Sequence, residues 1–258
     1  MTATNRMGPL SASESETGAP TAVQKNLVIA GATGMVGGYA LRYALDHPAV
    51  GRATTIGRRK VGISHPKLNE VIHQDFANCS ALGQVLSDQQ AAIFCLGAYT
   101  GTVSDTELRT ITVDVTIEFA RVLHGSNPYA AFAFLSGSGA DPTGRSRMSF
   151  ARYKGEAENA LLAKGFASVF IFRPAYIYPV APRREPNFGY RLLRVIYPAF
   201  RVQSPNQVIR ADDLARAMVD VAVRKAGERR GLIFENRDIQ AIVECACSKY
   251  WAGGVAPE

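Results

Sequence analysis

The sequence predicts an α/β protein built on a doubly wound parallel sheet with a small C-terminal extension. Three observations lead there. Short apolar runs of strand length alternate with segments whose apolar residues recur at helical spacing, the pattern of successive βαβ units. The runs are almost continuously apolar, as strands covered by helices on both faces require. The first run, Asn26 to Ala30, ends directly in a glycine cluster that opens the first helix.

In chain order, strands are expected at Asn26 to Ala30, Ala53 to Ile56, Glu70 to His73, Ala91 to Leu96, Ala131 to Leu135 and Ser168 to Arg173. Helices are expected between them at Val36 to Asp46, Ser80 to Ser87, Asp105 to Leu123 and Ser149 to Lys164. Residues 1–24, rich in Ser, Thr, Ala, Gly and Glu and poor in large apolar side chains, cannot offset their ordering entropy and read as a disordered tail. The domain then occupies residues 25–236. Beyond Arg173, Pro174, Pro179, Pro182 and Pro186 interrupt the chain, and a basic, aromatic helix is expected from Tyr190 to Tyr197. Asp212 or Asp213 can cap a further helix carrying Leu214, Met218 and Val221 on one face, and Leu232 to Phe234 reads as a last short strand. Residues 237–258 form a C-terminal tail with a short helix-like stretch and the single Trp, Trp251.

The net charge of +7 permits binding to an acidic surface but equally suits a phosphate-rich cofactor. Arg183, Arg184, Arg191, Arg194 and Arg201 account for part of it and read as a solvated basic face, since no stacking aromatics recur in an RNA-binding pattern. Nucleic acid is therefore disfavoured as a partner. The longest apolar runs are far too short to span a bilayer, and residues 1–24 hold no apolar core of a secretory signal. Cys79, Cys95, Cys245 and Cys247 form no C-x-x-C pair, and His47, His65, His73 and His124 lack ligand spacing, so no metal is expected. Free thiols suit a reducing compartment, and the expected location is the cytoplasm.

The sharpest motif is Gly31-Ala32-Thr33-Gly34-Met35-Val36-Gly37 between a strand and a helix. Gly31 permits a tight turn, Gly34 lets the backbone approach a pyrophosphate, and Gly37 lets the helix pack on the strand. The amides of the first helical turn then face the phosphates. This is the dinucleotide loop of a Rossmann fold. An NAD site places a carboxylate about 20 residues further on to hold the ribose hydroxyls. Here Gly57-Arg58-Arg59-Lys60 stands instead, and the paired guanidinium groups select a 2′-phosphate, hence NADP(H). Asp75 and Phe76 follow the third strand, where they can meet the adenine. Cys95, Leu96 and Gly97 follow the fourth, beside the nicotinamide ribose, with Cys95 read as a packed small side chain rather than a nucleophile.

Together with Leu135-Ser136-Gly137-Ser138-Gly139-Ala140-Asp141, Lys154-Gly155-Glu156-Ala157-Glu158 and Phe172-Arg173-Pro174, these motifs resemble the atypical branch of the short-chain dehydrogenase/reductase superfamily. Within it the likeness is to the Tat-interacting-protein-type oxidoreductases, over about Lys25 to Asn236. The resemblance implies catalysis by a Ser, a Tyr and a Lys, the last two four residues apart on one helix face, so that the ammonium can act on the phenol. It assigns Lys154 to the nicotinamide ribose, Ser138 and Ser136 to the strand-end loop, and Pro174 and Ile177 to the segment passing the nicotinamide. The sequence departs from the family where Phe150 replaces the tyrosine. Tyr153 is a neighbouring phenol, rotated about 100° around a helix from Lys154, and Tyr176 and Tyr178 approach from another direction.

Two readings follow. The first is an NADP(H)-dependent oxidoreductase acting on a small carbonyl compound with a non-standard proton donor, with Ser138, Lys154 and Tyr153 as candidate catalytic residues. The second is a non-catalytic NADP(H)-binding redox sensor or regulator with a protein partner. Neither reading sets a substrate or an oligomeric state.

Overall fold

The computed structural model describes residues 24–98, 101–180, 207–223 and 231–251. Residues 1–23 of the expected tail over 1–24, and the expected helix at Tyr190 to Tyr197 with its arginines, lie outside the described residues. So does the end of the C-terminal segment.

Seven strands form one parallel sheet: β1 (Lys25–Ala30), β2 (Val50–Gly57), β3 (Leu68–Ile72), β4 (Ala91–Phe94), β5 (Ala131–Leu135), β6 (Ser168–Arg173) and β9 (Leu232–Glu235). Their spatial order is β3-β2-β1-β4-β5-β6-β9, and every pairing is parallel. The chain winds outward from β1 through β2 and β3, then crosses back to β4 on the other side of β1. That reversal opens a crevice at the C-terminal ends of β1 and β4, the place where such sheets take ligands. The doubly wound sheet is therefore as the apolar runs predicted.

Alternation along β1 shows how both faces are filled. Leu27 and Ile29 join one core with Val36, Ala40 and Leu41 of α1 (Met35–Asp46) and with Leu214 and Met218 of α6 (Ala211–Val223). Val28 and Ala30 join the other. That second core holds Leu86 of α2 (Gly83–Ser87), Phe119 and Leu123 of α4 (Val115–Ser126), and Ala157 and Leu161 of α5 (Ser149–Ala163). There Phe94 packs on Phe119 and Phe132 with ring centroids 5.3 and 6.0 Å apart. Each such fully buried ring is worth about 1.5–3 kcal/mol relative to exposure. On the first face buried Asp220 pins α6 to α1: its Oδ1 accepts from Tyr43 Oη at 3.1 Å and lies 3.3 Å from His47 Nε2.

The structure departs from the sequence reading in several places. β2 starts at Val50 rather than Ala53, and α6 starts at Ala211, so Asp212 and Asp213 lie in its first turn rather than capping it. β4 ends at Phe94 rather than Leu96, because its partner β1 ends opposite it at Ala30 and the chain must then pass Gly31. The helix expected from Asp105 is a rod of α3 (Asp105–Arg109), a π-helical turn over Thr110–Asp114, and α4. The side chain of Ser104 caps it, accepting from Glu107 N at 3.2 Å. After β6 the chain forms β7 (Tyr176–Tyr178), which pairs in parallel with β8 (Val208–Arg210) as a separate two-stranded sheet. Finally, the domain does not end at 236. Helix α7 (Asn236–Trp251) starts there, and its Ile239 is fully buried in the first core, so this segment is part of the domain rather than a tail. Among the described residues no helix is long and apolar enough to cross a membrane.

Candidate functional site

The site is the crevice at the ends of β1, β4, β5 and β6, and it begins with the glycine loop. Gly31 sits at φ +90°, a conformation L side chains rarely adopt, and a Cβ there would stand 2.9 Å from the Cys95 carbonyl carbon. Gly34 N donates to Gly31 O at 2.9 Å, closing the turn. A Cβ at Gly37 would lie 2.3 Å from the Gly31 oxygen, so helix α1 rests directly on the loop backbone. Gly34 is the N-cap of α1 and offers no capping side chain. The first-turn amides of Met35, Val36 and Gly37 therefore open beside exposed Thr33, a ready anion seat.

The end of β2 presents Arg58, Arg59 and Lys60, all exposed. The backbone beneath them is fixed: His73 N donates to Gly57 O at 3.0 Å, and Gln74 Nε2 to Arg58 O at 2.8 Å. Among the described residues neither the Arg58 nor the Arg59 guanidinium has a hydrogen-bond or ion-pair partner. Asp75 turns its carboxylate into its own loop, accepting from Ala77 N at 3.0 Å, while half-buried Phe76 meets His73 edge to face. Cys95 and Leu96 are half-buried and Gly97 is exposed. Burial pushes the Cys95 thiol up to about 12, with the Lys154 charge opposing. It is not a thiolate at neutral pH, which agrees with a packed side chain.

The ends of β5 and β6 are organised by α5. Lys154 is buried at 7% exposure, its Nζ donating to Leu135 O at 2.8 Å and lying 4.7 Å from the centre of the Phe134 ring. Burial pulls its ammonium down to about 8; Glu158 and Cys95 push the other way. Ser136 is also buried, and its hydroxyl donates to Glu158 rather than facing the crevice. Ser138 is exposed, with its amide tied to Pro174 O at 2.8 Å. Buried Pro174 leads into β7, where half-buried Ile177 pairs with Ile209.

Phe150 occupies the first turn of α5 and lies against the Ser136–Ser138 turn: a Cβ at Gly137 would come within 2.7 Å of the Phe150 ring. An aromatic ring covers the place next to the serines, but it carries no hydroxyl. Tyr153 does not take over from it. Its phenol donates to Asp105 Oδ2 at 2.6 Å, toward α3, and that bond raises its pKa. A proton donor of this type works best with a lowered pKa, so the structure parts Tyr153 from Lys154 in both direction and chemistry.

Two residues that sequence reasoning quoted only as parts of motifs are central here. Glu158, 1% exposed, accepts from Ser136 and from Arg173, whose Nη2 approaches Oε2 to 2.5 Å and whose Nε lies 3.0 Å from Oε1. Arg173 reaches on to Glu235 Oε1 at 3.2 Å. The signal was present in the spacing: Glu158 stands four residues after Lys154, on the same helix face. Gly155 was a second signal, since a Cβ there would lie 2.0 Å from the Asp141 oxygen where the loop crosses α5.

Comparison with known proteins bears on the family and the fold. A model of the NAD dependent epimerase/dehydratase family matches residues 27–147. The chain is 30% identical over 168 residues to the protein named fmp52, mitochondrial, of Emericella nidulans, which covers 63% of this chain and 70% of that protein. It is 28% identical over 209 residues to the protein of the same name from Aspergillus fumigatus, covering 77% and 87%. Among solved structures it is similar to the Bordetella bronchiseptica enzyme WbmG in complex with NAD, with a TM-score of 0.61 and 14% identity, covering 93% of this chain and 83% of that one. It is likewise similar to a short chain dehydrogenase from Burkholderia cenocepacia in complex with NADP, with a TM-score of 0.59, 14% identity, and coverage of 92% and 100%. At these identities the structural likeness is one of fold, and it holds over nearly the whole chain. The expected cytoplasmic location is overturned: the curated relatives are named as mitochondrial proteins. Thiol usage could not separate the two, because free cysteines fit either compartment.

Proposed function

We propose that this chain, which belongs to the same family as the fmp52 proteins, is an NADP(H)-dependent oxidoreductase of the atypical short-chain dehydrogenase/reductase type, acting at mitochondria on a small carbonyl compound. The observation that carries the cofactor choice is the pair Arg58 and Arg59. Both guanidinium groups are exposed and unpartnered among the described residues, on a pinned backbone at the end of β2. Next to them the α1 amides offer the pyrophosphate seat. A 2′-phosphate would convert those idle charges into charge-assisted bonds, which an NAD ribose could not.

In this reading Gly31, Thr33, Gly34, Met35, Val36 and Gly37 hold the pyrophosphate, and Phe76 with the Asp75 backbone borders the adenine. Cys95, Leu96, Gly97, Pro174 and Ile177 shape the nicotinamide side. Lys154 binds the nicotinamide ribose from beneath the Leu135 carbonyl, and exposed Ser138 orients the substrate oxygen. Ser136 supports the loop from below through Glu158. The likeness to the Tat-interacting-protein-type enzymes belongs to this proposal too and rests on the Lys154–Glu158 motif and Gly57-Arg58-Arg59.

A second reading is a protein that binds NADP(H) without turnover and reports redox state to a protein partner. It is favoured by Phe150 over Gly137 and by the commitment of Tyr153 to Asp105. Calorimetric titration with NADPH and NADH tests the part both readings share: tight binding of NADPH with much weaker NADH is expected, and equal affinities would remove the arginine argument. A panel of aldehydes, ketones and enones then separates the two. Oxidation of NADPH above background supports the oxidoreductase; its absence across the panel with tight cofactor binding supports the sensor.

A further inference from the structure

We propose that Glu158 is the positioning residue of the nicotinamide end: clasped by Ser136 and Arg173, it keeps a negative charge beside Lys154 and so holds that ammonium protonated and aimed at the Leu135 carbonyl. The role given to Lys154 rests on the function proposed above; the clasp itself does not.

The argument is one of charge in a dry place. Lys154 and Glu158 are both buried, one helical turn apart on α5. A buried ammonium whose partners were only a carbonyl and an aromatic face would shed its proton, because desolvation penalises the charged form. Two titratable groups act on it, Cys95 at the end of β4 and Glu158 on α5; Glu158 is in turn paired with the Arg173 guanidinium on β6, which reaches Glu235 on β9. Cys95 is held neutral by its own burial. Arg173 is a second cation, paired directly with Glu158, and among the described residues Glu158 is the buried carboxylate that acts on the lysine, from one turn along α5. Glu235 is half exposed at 53% and acts through Arg173.

The clasp also explains two further placements. With its hydrogen bond given to Glu158, the Ser136 hydroxyl is buried, whereas Ser138 in the same turn is exposed. Arg173 precedes Pro174, whose carbonyl fixes the Ser138 amide. Asn236, next to Glu235, accepts from Ala175 N at 3.2 Å and donates to Val208 O at 3.1 Å. The Glu158 carboxylate thus ties the lysine helix to the end of β6 through Arg173, and the Asn236 amide ties the segment after it to the small β7–β8 sheet.

The test is the titration of the Lys154 ε-carbon, followed by NMR in ¹³C-lysine-labelled full-length protein and assigned by its loss in Lys154→Met. Wild type is expected to titrate near 8. Glu158→Gln keeps the shape and can still accept from Ser136, and its midpoint is expected to fall by about one unit or more, a tenfold loss of proton affinity. Ser136→Ala leaves the charge in place and is expected to leave the midpoint where it was. Equal midpoints in wild type and Glu158→Gln overturn the proposal. So does a shift in Ser136→Ala as large as that in Glu158→Gln, which would make the effect one of packing. If Glu158→Gln does not fold, Glu235→Gln at the exposed end carries the test: a smaller downward shift supports the clasp and none overturns it. NADPH affinity measured against pH is the separate readout. In wild type it should weaken as pH rises through the lysine midpoint, and in Glu158→Gln from a correspondingly lower pH. Failure of wild type to bind NADPH at any pH would defeat the proposed function while leaving the NMR result to decide the clasp.

Discussion

The two ends of the crevice are built on opposite principles. At the phosphate end, polar groups are left open: the first-turn amides of α1 have no capping side chain, and the Arg58 and Arg59 guanidinium groups have no partner among the described residues. At the end formed by α5, β5 and β6, where the proposed function puts the nicotinamide, most of the polar side chains named above are already bonded to another residue of the chain. Lys154 is on Leu135, Ser136 and Arg173 are on Glu158, and Tyr153 is on Asp105. Open groups cost little in water and gain much from a charged ligand, whereas buried ones must be satisfied by the fold itself. On the function proposed above, the difference means that the groups meant for the phosphates wait for their ligand while those where chemistry would occur are prearranged by the fold, with exposed Ser138 the exception.

The harshest way to break the contrast is at the loop. Gly37→Ala sets a Cβ 2.3 Å from the Gly31 oxygen, a backbone atom that cannot swing aside. Helix α1 must lift from the loop, at a cost of roughly 1–3 kcal/mol in stability, with NADPH affinity falling about a hundredfold. Urea unfolding and calorimetry would show both; a variant that kept its affinity would mean the amides are not the phosphate seat. The double change Arg58→Ala, Arg59→Ala should be milder and more selective. Loss of charge-assisted bonds to one phosphate costs about 2 kcal/mol, or roughly thirtyfold in NADPH affinity, with NADH binding and unfolding midpoint unchanged. An equal loss for both cofactors would show that the arginines act only as general positive charge.

The same contrast explains what could be seen in advance. The glycine turn was legible because its determinants are consecutive: strand, glycines and helix follow one another from Lys25 to Asp46, and Arg58 comes directly after the end of β2. The nicotinamide end was legible only in outline. Lys154 could be found by its motif, but its burial and its contact with Leu135 depend on how α5 meets the sheet. The partners of Tyr153 and Arg173 lie 48 and 62 residues away, for Asp105 and Glu235, and no local pattern carries such pairings. The β7–β8 sheet escaped for a related reason. Each strand has three residues, too few for a period to show. The helix at Asn236–Trp251 was underestimated because its amphipathic face matters only once Ile239 meets α6 and β8.

Phe150→Tyr sharpens the comparison from the nicotinamide side. The tip of the Phe150 ring already points at Gly137, so a para-hydroxyl there must push the ring or the Ser136–Ser138 turn aside slightly and then lies beside Ser138. A positioned phenol contributes to carbonyl reduction through proton transfer, and about a tenfold or greater rise in NADPH-dependent turnover is expected. Such a gain from an inactive wild type would identify a site that has lost catalysis and kept its cofactor. An unchanged rate in an active wild type would show that protons reach the substrate by another route.

The smallest effect is expected from Tyr153→Phe, and its smallness is informative. The phenol of Tyr153 is directed to Asp105, and each raises or lowers the other: the bond holds the Asp105 carboxyl below the usual carboxylate range and the Tyr153 hydroxyl above its own. Removing it should let the Asp105 carboxyl rise toward its ordinary value, though Ser149 still donates to it. An Asp with a depressed folded-state pKa contributes stability that is present above the unfolded value and lost as pH falls through the folded one. The variant should therefore differ from wild type above that acid range and converge with it at lower pH. Turnover, where wild type shows any, should stay within about twofold, because a group that donates to Asp105 has no proton to offer the crevice. A loss of a hundredfold would instead make Tyr153 the missing acid, and would mean that α5 turns when cofactor binds, so that the spent polar groups of the nicotinamide end are released in the act of binding.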